Sequence, residues 1–145
     1  MYVLIVGAGR VGTALARWLL TSEPEHEVTV IDRESSRCAA LEDDLGSISV
    51  TGDGTEAGTL TRAGANRADV FIATMGADED NLVACQLAKH LFGAARTISL
   101  VNGSDRNVLF NRLGIDVIVD IADLAVGKIQ GELSSFLAEE VEDLA

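Results

Sequence analysis

Tyr2-Val-Leu-Ile-Val6 runs straight into Gly7-Ala8-Gly9-Arg10-Val11-Gly12, and this stretch decides the fold. An apolar strand-like run leads into Gly-x-Gly-x-x-Gly, and a helical pattern follows over 10–21. Strand, glycine loop and helix in that order mark a dinucleotide-binding loop, where glycines alone carry little weight. Gly7 permits the tight turn off the strand, Gly9 lets the backbone approach a phosphate, and Gly12 lets the helix pack on the strand. The new helix then aims its free N–H groups and the positive end of its dipole at the phosphates.

Downstream, the pattern alternates. Further strand-like runs fall at 27–32, 47–51, 69–74, 97–101 and 116–119, with helix-like runs at 34–44, 56–63, 79–92 and 105–113. Such alternation predicts a Rossmann-like, doubly wound parallel sheet of six strands with right-handed crossovers. Tyr2–Val6 and Val70–Ala73 are nearly all apolar, as strands covered on both faces should be. Pro24 sits in the turn between the first helix and the second strand. The organisation read from this pattern is a nucleotide-binding domain over 1–120 and an amphipathic C-terminal helix over 121–145. In that helix Ile121, Leu124, Ala125, Ile129, Leu133, Phe136 and Leu137 recur at helical spacing. The stripe must bury against something, its own sheet or a second copy of the chain.

Asp32 ends the second strand, twenty residues after Gly12. An acid there accepts hydrogen bonds from the adenosine ribose hydroxyls and repels a 2′-phosphate, which favours NAD-type or adenosine ligands over NADP. Arg33 beside it keeps NADP as the weaker option. Thr51-Gly52-Asp53-Gly54-Thr55 follows the third strand as a flexible turn. Asp53 either lines an adenine slot or caps the next helix. Met75-Gly76-Ala77-Asp78-Glu79-Asp80-Asn81 follows the fourth strand, which Thr74 ends. Acids suit a first helical turn, and Asp78 reads as a cap. The same loop also lies at the carboxyl ends of the strands, where open α/β sheets bind ligands. Arg10, inside the glycine loop, has the reach to hold phosphate in its own chain or a neighbour's site. The candidate site is therefore residues 7–12, 32, 33, 52–54, 74–76, 78 and 81.

Composition narrows the function. A net charge of −12, from 23 acids against 11 bases over 145 residues, repels nucleic-acid phosphate and anionic lipid. Only Lys89 and Lys128 are lysines, a balance that fits ordinary solubility charge and is also met in salt-adapted proteins. No apolar run approaches the roughly 20 residues of a membrane span. Cys38 and Cys85 read as reduced thiols of a cytosolic chain, without metal-ligand spacing around them or around His26 and His90. Cys85 reads as core and His90 as surface. Catalytic constellations are missing: there is no Gly-x-Ser-x-Gly elbow and no His near a plausible nucleophile.

The order Gly-Ala-Gly-Arg-Val-Gly, Val-Ile-Asp32, Gly52-Asp53, Asp78-Glu-Asp-Asn81-Leu-Val-Ala-Cys-Gln-Leu-Ala-Lys89, Arg96-Thr-Ile98 and Leu113-Gly-Ile-Asp-Val117 resembles the N-terminal nucleotide-binding domain of Trk-type potassium-uptake regulators, the RCK or KTN domain. The resemblance covers essentially the whole chain. It implies a cytosolic Rossmann domain at the inner face of the membrane that binds NAD(H) or ADP/ATP. It further implies dimers, often rings, on a potassium channel or transporter subunit, and a shape change that gates the pore. Gly7, Gly9 and Gly12 would then hold phosphate, Asp32 ribose and Arg10 phosphate, and the striped helix would be a crossover helix. Three departures stand out: Leu100 where many members have Arg, Met75 at the usual Thr with Thr74 one residue early, and no ligand-binding domain after the first, as in a solitary domain, a truncated piece or half of a split regulator. The reading is a non-enzymatic nucleotide sensor. Its rivals are an NAD-dependent oxidoreductase subunit and a regulatory domain of another transporter or a hydrolase.

Overall fold

The computed structural model describes residues 1–22 and 25–144, so the turn assigned to Pro24 lies outside the described residues. Six parallel strands form one sheet in the order β3-β2-β1-β4-β5-β6. They are β1 (Tyr2–Val6), β2 (Glu27–Asp32), β3 (Ser49–Thr51), β4 (Val70–Ala73), β5 (Arg96–Val101) and β6 (Val117–Asp120). β1 pairs with β2 on one side and β4 on the other, so strand order reverses beside it. Loops leaving β1 and β4 part at that point and open a crevice at the carboxyl edge. The doubly wound parallel sheet expected from the alternation is the observed fold.

All five β1 residues are buried, and alternate side chains feed two cores. Val3 and Ile5 pack with Val28, Val30, Ala16, Leu19 and Leu41, under α1 (Arg10–Thr21) and α2 (Ser35–Leu45). Leu4 and Val6 pack on the opposite face with Leu60, Phe71, Cys85, Ala88 and Phe110. That face carries α3 (Ala57–Arg62), α4 (Asp78–His90) and α5 (Asn107–Arg112). In α1 the buried Gly12, Ala16 and Leu19 recur at helical spacing, so one stripe meets the sheet. α4 carries Asp78, Glu79 and Asp80 in its first turn and Lys89 and His90 in its last, a distribution matched to its dipole. Cys85 is buried and His90 exposed, as read from the sequence.

The last helix, α6 (Ile121–Leu144), buries none of its residues. Folding back on its own sheet, one of the two options its stripe left open, does not occur. Leu124, Ile129, Leu133, Phe136 and Leu137 all stand exposed. Among the described residues no helix is long and apolar enough to cross a membrane.

Candidate nucleotide site

The glycine loop is held from three sides. Gly7 leaves β1 with φ +109°, a backbone conformation open to glycine and costly for other residues. Its N–H donates to the Ile31 carbonyl at 2.7 Å, tying the loop to β2. The Thr74 hydroxyl, one residue past β4, donates to the carbonyls of Val6 and Gly7 at 3.0 and 3.1 Å. A Cβ on Gly12 would sit inside the Gly7 carbonyl, so α1 approaches the loop as closely as a helix without a side chain can. Gly9 meets nothing within 4 Å of where a Cβ would lie, so the space over its backbone is free.

Asp32 joins this loop to the end of β2. Its Oδ2 accepts from the Ala8 N–H and its Oδ1 from the Glu34 N–H, both at 2.8 Å. The side chain is buried, 8% exposed. Arg37, in the first turn of α2, brings Nη1 to 3.6 Å from Asp32 Oδ2. With one bond on each oxygen, the carboxylate retains acceptor capacity toward the crevice.

The crevice is a cavity of about 430 Å³. Gly7 and Gly9 line it from the first loop, and Asp32 and Arg33 from the second. Gly52, Asp53 and Gly54 form a third wall; Thr74, Met75 and Gly76 form a fourth. Arg33 pairs with Asp53 and so links the loops after β2 and β3. Asp53 Oδ1 accepts from the Thr55 N–H at 2.9 Å and the Thr55 hydroxyl at 2.7 Å. The Thr55 hydroxyl first, then its N–H and Arg33, hold the Asp53 carboxyl below the usual carboxylate range. Asp53 thus closes its own turn and does not cap α3, whose N-cap is Glu56. The turn is also more confined than its glycines suggest, because a Cβ on Gly54 would overlap Val6 Cγ1.

The remaining residues singled out from the sequence lie off this cavity. Ala8 is buried and serves through its N–H, while Val11 is exposed on α1. Arg10 lines a neighbouring groove. Asp78 and Asn81 are buried braces under the Met75–Gly76 wall. The Met75 N–H donates to Asn81 Oδ1 at 2.8 Å, and Asn81 Nδ2 donates to the Met75 and Leu100 carbonyls at 3.0 and 3.1 Å. Asp78 accepts from the N–H groups of Asn102 and Gly103 at 2.8 and 3.2 Å. It binds the loop after β5 to α4 and makes no cap bond, since the N-cap of α4 is Ala77. Leu100 is itself buried and absent from the lining. Glu34, Arg37 and Asp80 do line the cavity, unforeseen from sequence. Their signal was position alone, each at the N-cap or in the first turn of the helix that follows a strand.

Residues 3–121 match the model of the TrkA-N domain. The chain belongs to the TrkA-N family. Similarity to curated relatives runs through most of this TrkA-N domain. It is 36% identical over 130 residues to a Trk system potassium uptake protein TrkA homolog of Methanothermobacter thermautotrophicus, covering 90% of this chain and 59% of that protein. The domain thus spans little more than half of that relative's length. Among solved structures it resembles GsuK bound to ADP, with TM-score 0.76 and 30% identity over 91% of this chain and 33% of that one. It also resembles the GsuK channel bound to NAD, with TM-score 0.75 and 29% identity over 95% of this chain and 25% of that one.

Proposed function

We propose that this TrkA-N domain binds an adenine nucleotide, NAD(H) or ADP/ATP, and acts as a conformational sensor that regulates a potassium channel or transporter. The observation that carries this is the cavity beside Asp32 and Gly9. It joins an acidic ribose acceptor to a glycine loop at the start of a helix, where strand order reverses. Related proteins bound to ADP and to NAD support the ligand class, and the Trk relatives support the potassium system. In this reading the free N–H groups around Gly9 take phosphate and Asp32 takes the ribose hydroxyls. The loops at 52–54 and 74–76 enclose the base and the phosphate tail.

The walls belong to four different strand ends, and Arg33, Thr74 and Asp32 already link them in pairs. A ligand that touches several loops shifts their spacing and so biases the domain's shape. Residues 1–120 form the nucleotide unit, and 121–145 supply the contact through which two copies pair, at the inner face of the membrane. Calorimetric titration with NAD, NADH, ADP and ATP is expected to give saturable binding with at least one. Absence of affinity for all four rejects the reading.

A further inference from the structure

The crevice is unequal on its two sides. A doubly wound sheet offers one mononucleotide half on each side of the strand reversal, and a dinucleotide spans both. Here β1, β2 and β3 supply the glycine loop, Asp32 and the turn at 52–54, and β4 closes the cavity with Thr74, Met75 and Gly76. Among the described residues, none from β5, β6 or the segments after them lines it. The carboxyl edge of that second half is taken up by the protein itself. Asp78, 6% exposed at the start of α4, accepts from the N–H groups of Asn102 and Gly103, the first two residues after β5, at 2.8 and 3.2 Å. The Asn102 amide donates to the Gly76 carbonyl at 3.1 Å. Arg106 pairs with Glu79, so the loop after β5 is drawn onto the first turn of α4.

Resting on the nucleotide reading above, we propose that the site recognises the adenosine diphosphate portion of its ligand and leaves the second half of a dinucleotide unread, so that the domain does not distinguish oxidised from reduced nicotinamide. The first half has groups to spare for a ligand. Space is open over the Gly9 backbone, and the Asp32 carboxylate keeps acceptor capacity. In the second half the backbone donors beyond β5 are already spent on Asp78. Turning them to a ligand would strip a buried carboxylate of its hydrogen bonds, a cost that the new contacts must first offset. Leu100, near the end of β5, is buried and offers no polar side chain in their place. The difference between NAD and NADH lies wholly in the nicotinamide ring, beyond the second ribose. A ring with no protein partners contributes equally little in either form. Regulation through this site then follows the supply of adenine nucleotide and not the redox balance of nicotinamide.

The test titrates the domain calorimetrically with ADP, ADP-ribose, NAD and NADH. ADP-ribose and NADH carry the same charge, so a difference between them reports the nicotinamide alone. ADP-ribose, NAD and NADH are expected to bind within threefold of one another. Arg106→Ala, which alters the loop after β5 away from the cavity, should change the affinities for ADP-ribose and NADH by the same factor, within threefold. A difference of more than threefold among ADP-ribose, NAD and NADH, in either direction, overturns the proposal and leaves the nucleotide reading intact. Selective loss of NADH in Arg106→Ala does the same, as does binding of ADP or ATP with none of the other three. Binding of none of these ligands overturns both.

Discussion

The Ala8 N–H donates to Asp32 Oδ2 at 2.8 Å, so the glycine loop and the end of β2 share one buried hydrogen bond. The residue that faces a ribose in the proposed complex therefore also shapes the phosphate loop. Asp32→Ala should fail twice. Nucleotide affinity should fall at least tenfold by calorimetry. Stability should drop by about 1–3 kcal/mol in denaturant melts, because the Ala8 and Glu34 donors lose their acceptor. Wild-type stability in that variant would show that the bond to Ala8 is dispensable.

Two glycines of the same loop should respond differently to one methyl group. Gly12→Ala places its Cβ inside the Gly7 carbonyl, so α1 must move off the strand, at a cost of about 1–3 kcal/mol. Gly9→Ala meets no protein atom within 4 Å. It should melt like the parent and lose nucleotide binding, because its methyl fills the space reserved for a phosphate. Thermal melts beside titrations separate the two effects, and unchanged affinity in Gly9→Ala would remove the phosphate from that spot.

Asn81 makes the opposite prediction. Its amide bridges the Met75 backbone and the Leu100 carbonyl and is fully buried, off the cavity lining. Asn81→Ala orphans three backbone groups and should cost about 1–3 kcal/mol in stability. At low temperature, where the fold persists, nucleotide affinity should stay within a few-fold of wild type. A large loss of affinity in a fully folded variant would make Asn81 a ligand contact.

Acid should loosen the wall formed by residues 52–54. The Thr55 hydroxyl and N–H, with Arg33, hold the Asp53 carboxyl below its ordinary value. A carboxyl depressed in the folded state contributes stability above the unfolded value, near 3.9, and loses it as pH falls through the lower folded value. Asp53→Asn should therefore cost stability at pH 7 and little at pH 2. Stability curves of parent and variant that stay parallel over that range would contradict the linkage.

The apolar stripe of α6 predicts a dimer. Ile129 and Leu133 are each more than half exposed in the single chain. Ile129→Asp and Leu133→Asp should yield folded monomers by analytical ultracentrifugation, with melting of residues 1–120 little changed. Dimers that persist in both variants would place the contact elsewhere.

The first dozen residues determined the fold, because an all-apolar strand followed by Gly-x-Gly-x-x-Gly fits few other local structures. Strand and helix positions were legible to within two or three residues from apolar periodicity, down to the short β3. Asp32 was legible too, since its distance from Gly12 is a chain length that the crossover imposes. Other features were not legible, because they depend on atoms brought together from distant segments. Asp78 and Asn81 look like a helix start in sequence and act as braces, Asp78 to the loop after β5, 24 residues away, and Asn81 to β5 itself, 19 residues away. The turn at 52–54 reads as flexible, yet Gly54 is pressed on Val6 at the end of β1, a residue far from it in sequence. Arg10 reads as a phosphate contact in its own chain or a neighbour's site, and the structure places it in a groove beside the cavity. Sequence alone thus determined that a glycine loop and an acid at the end of β2 border one crevice, and which strand ends build it. Tertiary structure decided which side chains enter it and which brace it. It also decided that Arg10 and Arg37 share one groove. Periodicity records which face of an element is buried, whereas a site is made where loops from separate strands meet.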